Sequence, residues 1–229
     1  ESNVEVTKLD LTSKQKMIEI DDDEVFTADV VILATGGKPR KLGAKNEDKF
    51  KGFGISYCAT CDGDFYTDKD VIVVGGGNSA LEEAVSLTKW VRSITIVHQF
   101  DNFQATDHAI RQAEKNEKIS FILESEITEY MGEQQVEGVK LQNQKTGEFS
   151  ELKTDGVFVY VGYIPNTDKF KNVIDFSVRE EIITDENLQT NIRGIFAAGD
   201  VRMKKIRQIT TAVSDGTIAA VNAIEYLQK

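Results

Sequence analysis

The sequence predicts an α/β fold organised around a dinucleotide-type strand–turn–helix unit, and three observations carry that reading. Asp70-Val71-Ile72-Val73-Val74 is a short apolar run of the kind that forms a strand buried on both faces. It leads directly into Gly75-Gly76-Gly77-Asn78-Ser79-Ala80, a G-x-G-x-x-A turn, and Leu81-Glu82-Glu83-Ala84-Val85-Ser86-Leu87 continues with helical spacing. In such a unit Gly75 allows the tight turn, Gly77 lets a pyrophosphate approach closely, and Ala80 lets the helix pack on the strand. Asn78 and Ser79 open the helix, whose free N–H groups and partial positive charge suit a phosphate.

The remaining elements follow in chain order. Residues 4–11 alternate apolar and polar as a strand does, 16–20 pair with them, 21–24 form an acidic turn, and 25–27 begin another strand. Asp29-Val30-Val31-Ile32-Leu33 is a continuous apolar run fit for a buried parallel strand, ending in Ala34-Thr35-Gly36-Gly37. Residues 38–43 read as a linker. Beyond the glycine turn, 93–97 form a second strand and 106–116 a helix. Residues 119–123, 127–130, 136–141 and 149–152 read as strands, with a hairpin signal at Thr146-Gly147. A last apolar run at 157–161 is followed by a return crossover at 162–167. Gly194 to Asp200 is strand then turn, and 211–227 form a helix entered through Arg207-Gln208-Ile209-Thr210.

The chemistry concentrates at Tyr57-Cys58-Ala59-Thr60-Cys61-Asp62-Gly63-Asp64, which holds the only two cysteines of 229 residues. A C-x-x-C turn brings two thiols within disulfide range with little chain motion, and one thiol of such a pair commonly has a depressed pKa. Asp62, next to the second thiol, is placed to protonate a leaving thiolate. A structural disulfide remains an alternative, although so small a loop adds little stability. Zinc is another, but His98 and His108 stand at no familiar ligand spacing, and no metal is expected. Taken alone, the C-x-x-C suggests a thioredoxin-like redox motif.

A formal net charge of −11 argues against general binding to nucleic acid or anionic membranes. No apolar run approaches the roughly 20 residues of a membrane span, and no signal peptide is read. Two cysteines so spaced fit a reducing, cytoplasmic setting in which a dithiol can cycle.

Together these residues resemble the low-molecular-weight thioredoxin reductases, flavoproteins of the pyridine nucleotide-disulfide oxidoreductase class. The matching pieces are Ala34-Thr35-Gly36, the stretch from Tyr57 to Gly63, Gly75 to Ala84, Gly162-Tyr163-Ile164-Pro165-Asn166-Thr167, and Gly194 to Val201, in the family's order. The resemblance implies two Rossmann-like, three-layer nucleotide-binding domains, the second inserted in the first. Residues 1–41 and 161–229 would belong to an FAD-binding domain, and 42–160 to a nicotinamide-nucleotide-type domain carrying the dithiol. No second strand–glycine turn–helix unit stands before residue 30. The FAD domain is therefore expected to be incomplete here, and the 229-residue chain alone to hold FAD weakly or not at all. In the family mechanism Cys61 faces the flavin, Cys58 attacks the substrate disulfide and Asp62 is the acid. Thr35, Gly36, Gly199 and Asp200 would lie at the flavin, with Asp200 on the ribityl chain. Arg207, Gln208 and Ile209 would lead into a helix whose N-terminus holds negative charge on the flavin's pyrimidine edge. The implied partner is thioredoxin and the implied assembly a homodimer. The alternatives are a reductase of a peroxiredoxin or related disulfide protein, and a truncated module that only binds nucleotide or a partner.

Two features depart from the family. Members using NADPH carry H-R-R-x-x-x-R after the second strand of the inserted domain, and here the same place reads His98-Gln99-Phe100-Asp101-Asn102-Phe103-Gln104. The arginines that hold the 2′-phosphate are missing, with His98 and lysines elsewhere left to compensate in part, and no acid ends the strand as NADH would favour. NADPH or NADH thus lacks its usual selector, a condition similar to that of clostridial flavin thioredoxin reductases that take electrons from ferredoxin. The other feature is the basic run Arg202, Lys204, Lys205 and Arg207, which is expected either as solvated surface or as a dock for an acidic electron-transfer protein.

Overall fold

A computed structural model describes residues 4–21 and 23–228. The chain divides into two compact units, one of residues 1–38 with 163–229, the other of residues 39–162.

The 39–162 unit is centred on a five-stranded sheet. Its strands are, in spatial order, Ile55–Ser56, Gly156–Val159, Asp70–Val74, Ser93–Val97 and Ile119–Ile122, and every neighbouring pair is parallel. Val71, Val73, Ile94, Ile96 and Phe158 face the helices Asn78–Leu87 and Asp107–Glu114, burying Ala80, Leu81, Ala84, Leu87, Ala109 and Ala113. The opposite face, with Ile72, Val74, Val97, Val157 and Val159, packs on Ile127, Tyr130, Val139 and Leu141. Those last residues belong to an antiparallel sheet of Ser125–Met131, Gly138–Asn143 and Phe149–Lys153. Layers on both faces explain why the central strands read as unbroken apolar runs rather than alternating ones. Thr106 caps the second helix, its hydroxyl accepting from the Ala109 N–H at 3.4 Å.

In the other unit Val6–Asp10, Lys16–Ile20 and Glu24–Ala28 form an antiparallel sheet. The expected acidic turn between the last two includes Asp22, which lies outside the described residues. Val31–Leu33 pairs in parallel with Ile195–Ala197, and the Ile209–Leu227 helix packs on that pair through Ala219 and Ala223. The 29–33 run is not buried throughout as expected, since Ile32 is 39% exposed. The supposed linker at 38–43 also differs. Gly37–Pro39 is a short strand paired with Tyr163–Pro165, and the Arg40 N–H donates to Gly162 O at 2.9 Å. Pro39 is the last residue of this edge strand, where proline is tolerated.

Candidate active site

Cys58 and Cys61 are joined in a disulfide with Cα atoms 5.3 Å apart. Cys58 is the N-cap of the short Ala59–Asp62 helix, and its sulfur accepts the Cys61 N–H at 3.2 Å. A donor fixed on one sulfur favours its thiolate once the bond is reduced. Cys61 is the more exposed partner. Asp62 closes the helix, and its Oδ2 accepts the hydroxyl of Ser56 at 2.6 Å. Ser56 also accepts the Cys58 N–H at 3.1 Å. An open cavity of about 970 Å³ has Ser56, Asp62, Phe65, Tyr66 and Lys69 in its wall. Behind the helix, Gly63 lies so close to Trp90 and Leu87 that a Cβ there would stand 2.9 Å from the indole.

Tyr160 ties this helix to the glycine turn. Its phenol oxygen accepts the Ala59 N–H at 2.6 Å, while its backbone carbonyl occupies the space a Cβ on Gly75 would need. Gly75 has φ of +136°, a conformation that calls for glycine. Burial, and then the nearby Glu83 carboxylate, push the Tyr160 hydroxyl well above its ordinary value. Glu83 is itself raised by burial and by Glu82. At Gly77 nothing lies within 4 Å of a built Cβ, so this is the open approach of the turn. Asn78 points elsewhere, its Oδ1 accepting the Thr106 N–H at 2.7 Å. Ser79 is exposed, and Ala80 is fully buried under the turn.

The end of the Ser93–Val97 strand corrects one expectation. His98, offered as a partial cation for a nucleotide phosphate, is 5% exposed. It stacks on Phe103 at 5.6 Å, meets Phe100 edge-on at 5.3 Å, and its ring fills the space beside Gly76. Nε2 is 3.1 Å from Asn102 O. Burial lowers its pKa, so the ring favours its neutral form. Since the folded value lies below the unfolded one, near 6.5, the unfolded chain binds the proton first as pH falls. Stability contributed by neutral His98 is therefore full above about pH 6.5 and declines below it, ahead of the carboxylates. Urea midpoints from pH 7.5 to 5.5 are expected to drop in the native chain and to flatten in His98→Gln; parallel slopes in the two would refute this.

In the other unit the expected cofactor residues gather at the carboxyl ends of the parallel strand pair, the usual ligand side of such sheets. The Thr35 hydroxyl donates to Asn166 O at 2.8 Å, and the Asn166 side-chain amide returns a bond to Thr35 O at 2.8 Å. Gly36, with φ of +60°, has open space beside it. The Gly199 N–H donates to Asp215 Oδ2 at 3.0 Å. Asp200 has a buried oxygen with no hydrogen-bond partner among the described residues, an acceptor well suited to a hydroxyl-bearing cofactor. Gln208 and Thr211 cap the Ile209–Leu227 helix reciprocally, and Ile209 stands 83% exposed at its start. These residues fit FAD as far as they go.

The basic run is corrected as well. Lys204 is 2.9 Å from Asp215 and 3.7 Å from Asp200, with its side chain 8% exposed. Arg202 lies 3.8 Å from Asp215. Arg207 pairs with Glu181 and lies over the ring of Tyr163 at 4.6 Å. Among the described residues only Lys205 of the run lacks an ion pair. The run is an internal brace for the 199–208 turn, and the charge available to an acidic partner is small.

Fold and site together define a two-unit α/β disulfide oxidoreductase, with a redox dithiol beside a dinucleotide-type turn. The chain belongs to the pyridine nucleotide-disulphide oxidoreductase family, whose model matches residues 1–216. It is 49% identical over 226 residues to the 34.2 kDa protein in the rubredoxin operon of Clostridium pasteurianum, covering 99% of this chain and 72% of that protein. It is 44% identical to the thioredoxin reductase of Peptoclostridium acidaminophilum, covering 97% of this chain and 72% of the relative. Among solved structures, the thioredoxin reductase of Streptococcus pyogenes MGAS5005 aligns with a TM-score of 0.89 at 41% identity, over 98% of this chain and 74% of that one. That of Giardia duodenalis aligns with a TM-score of 0.90 at 32% identity, over 99% and 75%. No described helix is long and apolar enough to cross a membrane.

Sequence reasoning did not find Ser56, Tyr160, Glu181 or Asp215. Their partners lie 6, 101, 26 and 16 residues away in sequence, and no motif spacing announces them.

Proposed function

We infer that this chain is an FAD-dependent thioredoxin-disulfide reductase, with Cys58 and Cys61 as the dithiol that reduces the thioredoxin disulfide. The carrying observation is the Cys58–Cys61 disulfide with Asp62 beside it, set on a dinucleotide-type unit. The 39–162 unit serves as the nicotinamide-type domain and the other unit as the FAD-type domain. When bound, FAD supplies two electrons to the disulfide.

The chain's own residues do the rest. The Cys58 thiolate, favoured by the Cys61 N–H, attacks one sulfur of the substrate disulfide, and Asp62 gives a proton to the sulfur that leaves. The Cys61 thiolate then attacks Cys58, the mixed disulfide breaks, and the Cys58–Cys61 bond re-forms. Two electrons pass from dithiol to substrate. Thr35, Gly36, Gly199, Asp200 and the 207–209 segment hold FAD, and Gly75, Gly77, Asn78, Ser79 and Ala80 form the turn for a nicotinamide nucleotide. The resemblance also supports a homodimer in the cytoplasm. A ferredoxin donor draws little support from the 202–207 run, because that run is internally paired.

The direct test is a stoichiometric transfer. The dithiothreitol-reduced, desalted chain is mixed with oxidised thioredoxin and quenched with an alkylating agent. Thioredoxin is expected to gain two labels while the chain loses two at Cys58 and Cys61. Unchanged labelling on both proteins would end the reading.

A further inference from the structure

The acid in this site faces a conflicting demand. Asp62 must be a carboxylate to take the proton that the dithiol gives up, and a carboxylic acid to hand that proton to the leaving thiolate. A side chain held by donors alone is held in one of these states only. We propose that Ser56 is the positioning residue for Asp62, holding its carboxyl beside the dithiol in both protonation states. The proposal rests on the reading of Asp62 as the acid of thiol–disulfide exchange.

The geometry supplies what this requires. Ser56 is 4% exposed and lies on the edge strand Ile55–Ser56, in parallel register with Phe158. It is the only side chain among the described residues that is hydrogen-bonded to the Asp62 carboxyl. Its oxygen has two acceptor sites and its one hydrogen can rotate. With Asp62 ionised, the hydroxyl donates to Oδ2 at 2.6 Å while accepting the Cys58 N–H at 3.1 Å. With Asp62 protonated, the carboxyl O–H donates to the serine oxygen across the same gap. The serine hydrogen then turns to the Cys58 carbonyl, which lies 3.4 Å away. The Cys58 N–H bond is kept in both arrangements, so the proton moves without displacing the C-x-x-C turn. Lys69, Tyr66 and Asp155 share the cavity wall with Asp62, but none is hydrogen-bonded to it.

In balanced form, the Cys58 thiol passes its proton to the Asp62 carboxylate and its sulfur attacks the substrate disulfide. One S–S bond forms, one breaks, and the departing thiolate takes the proton from Asp62. The Cys61 thiol repeats the sequence against the mixed disulfide.

The test uses leaving groups of different basicity, and therefore does not depend on thioredoxin. The pre-reduced full chain is mixed with an aliphatic disulfide, hydroxyethyl disulfide, whose leaving thiolate needs a proton. It is mixed separately with 5,5′-dithiobis(2-nitrobenzoate), whose leaving thiolate is stable as the anion. Ser56→Ala is expected to slow the aliphatic reaction, which needs both proton transfers, roughly tenfold, as loss of a hydrogen bond to a charged group would, and to slow the aromatic one, which needs only the first, distinctly less. Ser56→Thr, which keeps the hydroxyl, is expected to restore the aliphatic rate. In an Asp62→Asn background Ser56→Ala is expected to add nothing further. Equal slowing with both disulfides, or full additivity with Asp62→Asn, would overturn the proposal. Normal behaviour here together with no transfer to thioredoxin would leave Ser56 in place and remove only the substrate assignment.

Discussion

Cys58→Ser is expected to lower the single-turnover rate of thioredoxin reduction by the pre-reduced chain on the order of a thousandfold or more, as loss of a nucleophile does. The reason is positional. The Cys58 sulfur sits at the N-cap and receives the Cys61 N–H, so it is the sulfur whose thiolate the backbone favours. Cys61→Ser is expected to differ in kind. Attack by Cys58 proceeds, but the mixed disulfide has no internal thiol to resolve it and accumulates as a covalent chain–thioredoxin adduct. Non-reducing electrophoresis and intact mass separate the two outcomes. An adduct that forms with Cys58→Ser and fails with Cys61→Ser would reverse the assignment.

The second large effect concerns the nicotinamide nucleotide. Calorimetric titration of the chain is expected to show no preference for NADPH over NADH. A 2′-phosphate carries close to two negative charges at neutral pH. Beyond the Ser93–Val97 strand it would meet Gln99, Phe100, Asp101 and Asn102, with His98 neutral and walled in by Phe100 and Phe103. Nothing there supplies the bidentate charged fork of an arginine. Each hydrogen bond to charge is worth roughly 1.5–3 kcal/mol, or about tenfold or more in affinity. Gln99→Arg with Phe100→Arg is therefore expected to improve NADPH binding by ten- to a hundredfold on that scale, with little change for NADH. Native selectivity above tenfold for NADPH would refute the account.

What the sequence made legible is what lies close together along it. The Asp70–Val74 strand, the glycine turn and its helix are contiguous, and each obeys a local rule. The same holds for Cys58, Cys61 and Asp62, which share one turn of chain. The sequence misled where partners are remote. Arg202, Lys204 and Arg207 read as a patch because Asp215 and Glu181, which neutralise them, belong to other elements. His98 misled for a different reason: Phe100 and Phe103 are near it in sequence but look in one dimension like an exposed loop, and they bury its ring. Ser56 is an ordinary serine in sequence, and it gains meaning only when the edge strand sets it under Asp62. The short Gly37–Pro39 strand went unread because a proline and flanking cations resemble a linker until the returning segment is beside it.

The contact between Gly63 and Trp90 has a practical side. Trp90 is the chain's single tryptophan, and its indole backs the residue that follows Asp62. Its fluorescence is thus a built-in reporter seated directly behind the dithiol helix. Emission is expected to shift when dithiothreitol opens the Cys58–Cys61 bond, and to be insensitive to dithiothreitol in the Cys58→Ser variant. Thiol exchange could then be followed optically in unlabelled protein.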